Sequence, residues 1–383
     1  MKITNLFKEF FENEKAGGLI LILSTILSLF LANSIFKTEY IGFWEIQLGD
    51  QSLAHYINDG LMTIFFLLIG LELEREIYAG ELSDLKKALL PIVAAIGGMI
   101  VPAGLHLFFN FGTVYQSGAG IPMATDIAFA IGVLSLLGNR VPLSLKVFLT
   151  ALAVIDDLGA IFTIAIFYSK GISIFHLAVS IGILGFLFIL NRLKVHNLIP
   201  YLIGGAVMWY FMLHSGVHAT ITGVLLAFVI PFGDGSKKSI SHKLEHVLIK
   251  PVAFVILPLF ALVNTAITLN TRVEDALFTS NDLGIFSGLV FGKPLGIILF
   301  SFLAVLAGIC SLPKGLKWQQ MIGAGFLGGI GFTMSIFITI LAFDDGLMIS
   351  DSKITIILSS VTAAIIGLIW LNLTLKPQAF EQD

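Results

Sequence analysis

Polar and apolar residues along this chain come in long blocks rather than in residue-by-residue alternation. Twelve apolar runs lie at about 17–33, 58–77, 88–109, 121–137, 143–168, 173–190, 198–213, 216–232, 247–265, 284–309, 319–342 and 353–375. A run of about 20 apolar residues spans the hydrocarbon layer of a bilayer as a helix. The pattern therefore predicts an all-α polytopic membrane protein with twelve transmembrane helices, forming one integral membrane domain over 1–383. Several runs are short or interrupted by Gly and Pro. Breaks at membrane depth are tolerated only where protein or a water-filled cavity satisfies the freed backbone groups.

Two stretches outside the runs have patterns of their own. In residues 1–15, Leu6, Phe7, Phe10 and Phe11 share one helical face and Lys2, Lys8, Glu12 and Lys15 lie on the other, as in a helix resting at the membrane surface. Between the first two runs, about 43–54, alternating residues and a Gly49-Asp50 turn predict a short hairpin, whose unpaired edges offer strand addition to a second copy. No cleavable signal peptide is evident. With the N-terminus inside, seventeen Lys and Arg fall on the cytoplasmic side and four (Lys37, Lys170, Arg272 and Lys353) outside, with Lys293 left within a run. That bias predicts cytoplasmic N- and C-termini and agrees with twelve crossings.

Composition narrows the class. The chain is 57% hydrophobic and 12% charged, too apolar for a soluble protein of 383 residues. A net charge of −3 argues against nucleic acid as a partner. The lone cysteine, Cys310, excludes an internal disulfide framework and a Cys-based metal cluster, and reads as small apolar filling.

Against this background, charges inside the runs stand out. Asp156 and Asp157 lie mid-run in the fifth block, where each carboxylate costs about 2.5–3.5 kcal/mol to insert. An ionisable residue at such depth is by default a functional site with a partner. Asp126, beside Thr125, sits in the fourth run next to Pro122, which predicts a helix interrupted in mid-membrane. Five glycines between Gly323 and Gly331 predict a second break in the eleventh run, although a small-residue packing face is the rival reading. The fourth and eleventh runs are the middles of two triplets, runs 3–5 and 10–12, that start on opposite sides of the membrane. Inverted three-helix repeats with paired discontinuous helices are a signature of secondary transporters. Lys293 lies roughly 13 Å from the outer end of the tenth run, near the midplane, and needs a carboxylate partner. Adjacent helical residues point about 100° apart, so one of Asp156 and Asp157 can pair with Lys293 while the other faces water. Carboxylate, hydroxyl and carbonyl oxygens suit a hard cation. A protonated carboxylate holds that cation poorly, so proton and cation compete for one site, and that competition is exchange.

These motifs together resemble the NhaA family of bacterial sodium/proton antiporters over nearly the whole chain. They are NDGLM at 58–62, GLELERE at 70–76, ATDIAFA at 124–130, LAVIDDLGAI at 152–161, HSGVHATITGV at 214–224, FGKPLGI at 291–297 and GGIGFTMSIFI at 328–338. The resemblance implies that Asp157 binds the transported sodium, with Asp156 beside it exchanging Lys293 for a proton. It places Asp126 and Thr125 at the crossing of two broken helices, Asp126 offsetting their terminal dipoles. It implies a cytoplasmic pH-responsive cluster of Glu72, Arg75, Glu76 and Glu245, with His218 structural or modulatory, and a homodimer joined through the outside hairpin. One departure is Ile249, which stands where the family pattern has a second histidine.

The expected function is electrogenic, pH-regulated export of sodium or lithium in exchange for protons across the bacterial inner membrane, without a cofactor, serving pH homeostasis and salt tolerance. The alternative is a sodium-coupled organic-anion symporter of related inverted-repeat fold, but buried Asp residues would repel an anion. An intramembrane aspartyl protease would need a Gly-x-Gly-Asp element that neither Asp126 nor Asp156 follows, and would leave Lys293 without a role; the chain is not expected to be an enzyme.

Overall fold

A computed structural model describes residues 5–49, 51–169, 171–233, 235, 239–268, 279–313 and 315–375. In chain order the helices are α1 (Asn5–Ala32), α2 (Lys37–Trp44), α3 (Leu53–Tyr78), α4 (Leu85–Asn110), α5 (Ile127–Ser135), α6 (Leu143–Phe167) and α7 (Ile174–Arg192). They continue with α8 (Ile199–Leu213), α9 (Ile221–Val229), α10 (Ile240–Asn264), α11 (Ser280–Leu306), α12 (Trp318–Gly328), α13 (Phe332–Ala342) and α14 (Gly346–Thr374). Among the described residues nine helices are long and apolar enough to cross a membrane, or ten when the bent pair α12–α13 counts as one. The runs at 198–213 and 216–232 give the shorter α8 and α9, of 15 and 9 residues. This is a mostly helical, multi-pass membrane protein.

The stretch read as a surface helix continues without a break into the first apolar helix, and residues 1–4 lie outside the described residues. Between α2 and α3, strands β1 (Gln47–Leu48) and β2 (Gln51–Ser52) pair antiparallel, Leu48 opposite Gln51. Gly49 turns between them at φ 73°, a left-handed conformation that suits glycine; Asp50 lies outside the described residues. So do Lys2, Lys170, Lys237, Lys238, Arg272, Lys314 and Lys376, which entered the charge count.

The chain divides into two compact units. One comprises Met1–Asn13, Ser24–Ser83 and Ile161–Ala266; the other comprises Glu14–Leu23, Asp84–Ala160 and Ile267–Asp383. In the first, Leu67 and Leu71 of α3 pack with Tyr201 and Met208 of α8 and Leu226 and Ala227 of α9. The second holds both breaks expected from the sequence. The chain passes from a 3-10 turn (Gln116–Met123) through extended Ala124 into α5, and α12 meets α13 across residues 329–331 at 44°.

Close backbone approach sets the spacing of α4 and α11 in this second unit. A Cβ on Gly97 would collide with the Gly296 carbonyl, and one on Gly296 with the Gly97 carbonyl. Small residues at such contacts are how membrane helices gain packing when lipid offers no hydrophobic drive. Gly296→Val should therefore destabilise the protein by about 1–3 kcal/mol or more, seen as a lower Tm in detergent. Gly182→Ala, with no neighbour within 4 Å of its Cβ, should leave Tm unchanged or slightly raised.

Candidate functional site

The second unit assembles the ionisable residues around the two breaks. Asp126 is the N-cap of α5, its Oδ1 accepting from the Phe129 N–H at 2.9 Å. Its Oδ2 accepts from the Thr333 N–H at 3.0 Å and the Thr333 hydroxyl at 2.6 Å, in the first turn of α13. One carboxylate thus caps two helices whose N-terminal ends converge, where unpaired N–H groups and the helix dipole both favour negative charge. The broken segments also bond directly, the Asp126 N–H donating to Ile330 O at 2.7 Å. The Ser335 hydroxyl donates to Ile121 O at 2.6 Å, and the Phe332 N–H donates to Ser360 Oγ at 3.2 Å. Backbone groups freed by the breaks thus find partners on each other and on α14, as burial requires.

Beside this crossing, Lys293 of α11 pairs with Asp156 of α6, Nζ to Oδ2 2.7 Å, with both side chains 0% exposed. The ammonium also donates to Met123 O, at the end of the 3-10 turn. Thr125 Oγ1 lies 2.8 Å from both Asp156 Oδ2 and Gly328 O. A hydroxyl carries one proton, so Thr125 can donate to the carboxylate or to the carbonyl, whichever is the better acceptor.

Asp157, 1% exposed, follows Asp156 on α6 without a close ion pair to the lysine, and its Oδ1 has no hydrogen-bond partner. Asp156 Oδ1 is likewise unpartnered. The arrangement answers the question left open by the helical angle: Asp156 is the lysine's partner and Asp157 the second carboxylate. Two buried carboxylate oxygens without donors can accept a proton or ligate a cation, and the other Asp156 oxygen adjoins Thr125, whose hydroxyl also reaches Gly328 O.

The first unit brings the other predicted residues only partly together. Arg75 Nε donates to Glu245 Oε1 at 2.8 Å, and its Nη1 lies 2.9 Å from Glu76 Oε1, so the C-terminal end of α3 and the start of α10 do meet. Glu72 is buried on the same helix, one turn earlier. His218 stands apart from this cluster. Its Nε2 is 3.0 Å from Tyr168 O, and it lies within electrostatic reach of Asp59 near the opposite end of α3.

Sequence reasoning missed several members. Glu74, 4% exposed, accepts from the Ser241 hydroxyl at 3.3 Å and belongs to the Arg75 cluster. The run of alternating Glu in GLELERE was the available signal. The role of Thr333 on Asp126 had only a weak one, a hydroxyl residue directly after a glycine-rich break.

Comparison with known proteins agrees with this architecture. A family model described as Na+/H+ antiporter 1 matches residues 8–371. The chain is 70% identical to the Na(+)/H(+) antiporter NhaA of Cytophaga hutchinsonii, over 98% of this chain and 97% of that protein. It is 64% identical to the NhaA of Flavobacterium psychrophilum, over 100% and 99%, and 58% identical to that of Dechloromonas aromatica, over 97% and 96%. A solved sodium proton antiporter from Methanocaldococcus jannaschii has the same fold, with a TM-score of 0.56 at 14% identity over 96% of this chain and 98% of that one. With a match over nearly its whole length and relatives this similar, the chain belongs to the Na+/H+ antiporter 1 family.

Proposed function

We propose that this protein exchanges sodium or lithium for protons across the bacterial inner membrane. The observation that carries the reading is the Asp156–Lys293 pair beside the bare Asp157 carboxylate, on a chain of the antiporter family. With protons bound, Lys293 holds Asp156 and Asp157 is a neutral acid, so the site carries no net charge. Sodium binds when Asp157 gives up its proton and Asp156 exchanges the ammonium for the cation. Lys293 then releases its own proton and retains the Met123 carbonyl as partner. The Thr125 hydroxyl donates to the Asp156 carboxylate, which stays ionised in both states.

Two protons bound against one sodium makes the exchange electrogenic, with one positive charge entering per cycle. Each such charge is driven by about 2.3 kcal/mol per 100 mV of membrane potential. Asp126, with three donors already, holds the two helix ends in place rather than ligating the cation.

The larger architecture extends this reading. Counting the bent pair, α8 and α9, every one of the twelve apolar runs has a helix, which supports twelve crossings, inverted three-helix repeats and cytoplasmic termini. The Arg75–Glu245 cluster, with Glu72 and Glu76, responds to cytoplasmic pH, and His218 modulates from the other end of α3. The hairpin leaves Leu48 about half exposed on a free strand edge, with Phe43 and Ile46 about half exposed just before it, and joins two copies into a homodimer.

In everted membrane vesicles with an imposed pH gradient, followed by a pH-sensitive dye, sodium or lithium should collapse the gradient. Asp157→Asn should abolish that response while leaving Tm unchanged. Wild-type rates in the variant would remove Asp157 from the site. Deleting residues 46–52 should convert the detergent-solubilised protein from dimer to monomer, measured by size-exclusion chromatography with light scattering, while exchange persists.

A further inference from the structure

Hydroxyl groups in the second unit are nearly all accounted for. Several donate back to the carbonyl four residues earlier, as buried Ser and Thr in helices commonly do. Ser359 bonds Thr355 O at 2.6 Å, Thr339 bonds Ser335 O at 2.8 Å, and Ser352 bonds Met348 O at 2.7 Å. Others bond distant groups, as Thr333 does Asp126, and among the described residues of this unit two buried hydroxyls do neither. Thr150 on α6 is 6% exposed and Ser301 on α11 is 0% exposed, and neither hydroxyl has a hydrogen-bond partner. A buried hydroxyl left unpaired is destabilising, so two of them near one site call for a ligand that is bound only part of the time.

Their positions indicate which ligand. Helices α6 and α11 run antiparallel past each other. Asp156 meets Lys293, and one turn further on Leu152 Cδ2 and Ile297 Cδ1 flank the same point, 3.6 and 3.0 Å from where a Cβ on Gly328 would lie. Thr150 and Ser301 continue in that direction, about 9 Å and about 12 Å along their helices from the ion pair. Seven residues separate Thr150 from Asp157, so both fall within about 20° of one line along α6. The bare hydroxyl oxygen and the bare carboxylate oxygen are thus successive polar stations on one helix face. Ser301 completes the row Lys293, Ile297, Ser301 on α11, each one turn from the last.

We infer that Thr150 and Ser301 are transient oxygen ligands for the transported cation or its last waters, between the N-terminal end of α6 and Asp157. A hard cation that sheds water on the way to a buried carboxylate needs replacement oxygens, and neutral hydroxyls supply them without trapping the ion. This assignment rests on the antiport reading above and adds to it two residues on the cytoplasmic approach to Asp157.

The test uses the full-length protein in everted vesicles, with sodium as the probe. Thr150→Val, Ser301→Ala and the double variant should each raise the sodium concentration for half-maximal response, by about fivefold for a lost hydrogen bond. Thr150→Ser should restore the wild-type value. Because each change removes an unpaired hydroxyl, Tm should stay level or rise, which separates a transport role from a structural one. A double variant with wild-type sodium dependence overturns the inference, as does a loss of response that tracks a falling Tm and is not restored by Thr150→Ser. If wild-type vesicles themselves fail to respond to sodium, the antiport reading falls and this inference falls with it; the wild-type control distinguishes that case from the others.

Discussion

The ion pair between Lys293 and Asp156 is the constraint around which the second unit is built. Taking a carboxylate and an ammonium out of water costs several kcal/mol each, and their attraction offsets this only with good geometry and further hydrogen bonds. Those bonds come from Met123 O and the Thr125 hydroxyl, both on the segment where the chain leaves helical geometry. The helix is broken at that depth because an unbroken one would keep the Met123 carbonyl for itself. The second break supplies the Gly328 carbonyl to the same hydroxyl. Charge pair and broken helices therefore depend on each other.

The breaks create a cost of their own, which Asp126 offsets. Two helix starts in apolar surroundings leave unpaired N–H groups. One carboxylate, caught between Phe129 and Thr333, satisfies both ends and fixes the distance between the two broken strands of chain. Three buried Asp residues around the breaks thus divide the work: Asp126 holds the scaffold, Asp156 faces the lysine and Asp157 is left open. The glycines of α4 and α11 let the helix carrying Lys293 pack closely against α4.

Much of this was legible in the sequence, because membranes make polarity expensive. Asp156, Asp157 and Lys293 stood out in apolar runs, and Pro122 and the Gly323–Gly331 cluster marked both breaks. Periodicity reports which residues share a face, however, and not what lies opposite. It could not choose between Asp156 and Asp157 as the lysine's partner, nor show that Asp126 serves Thr333 from more than 200 residues away. The family resemblance, not periodicity, set His218 alongside Arg75 and Glu245, whereas the fold puts His218 near the other end of α3. The π-helical turns at Ile57–Leu61 and Gly288–Gly292 were invisible for the same reason: they follow from packing against neighbours, not from local residue preference.

In the proposed exchange, sodium and protons compete for the same buried carboxylates. That competition is tested most directly by adding sodium to the purified protein in detergent, in a weakly buffered solution, and following the released protons with a pH indicator. Saturable proton release that follows sodium occupancy, as measured by calorimetry on the same sample, is the predicted result. Sodium binding with no accompanying release would contradict it, and would mean that the cation occupies a site separate from the Asp156–Asp157 pair.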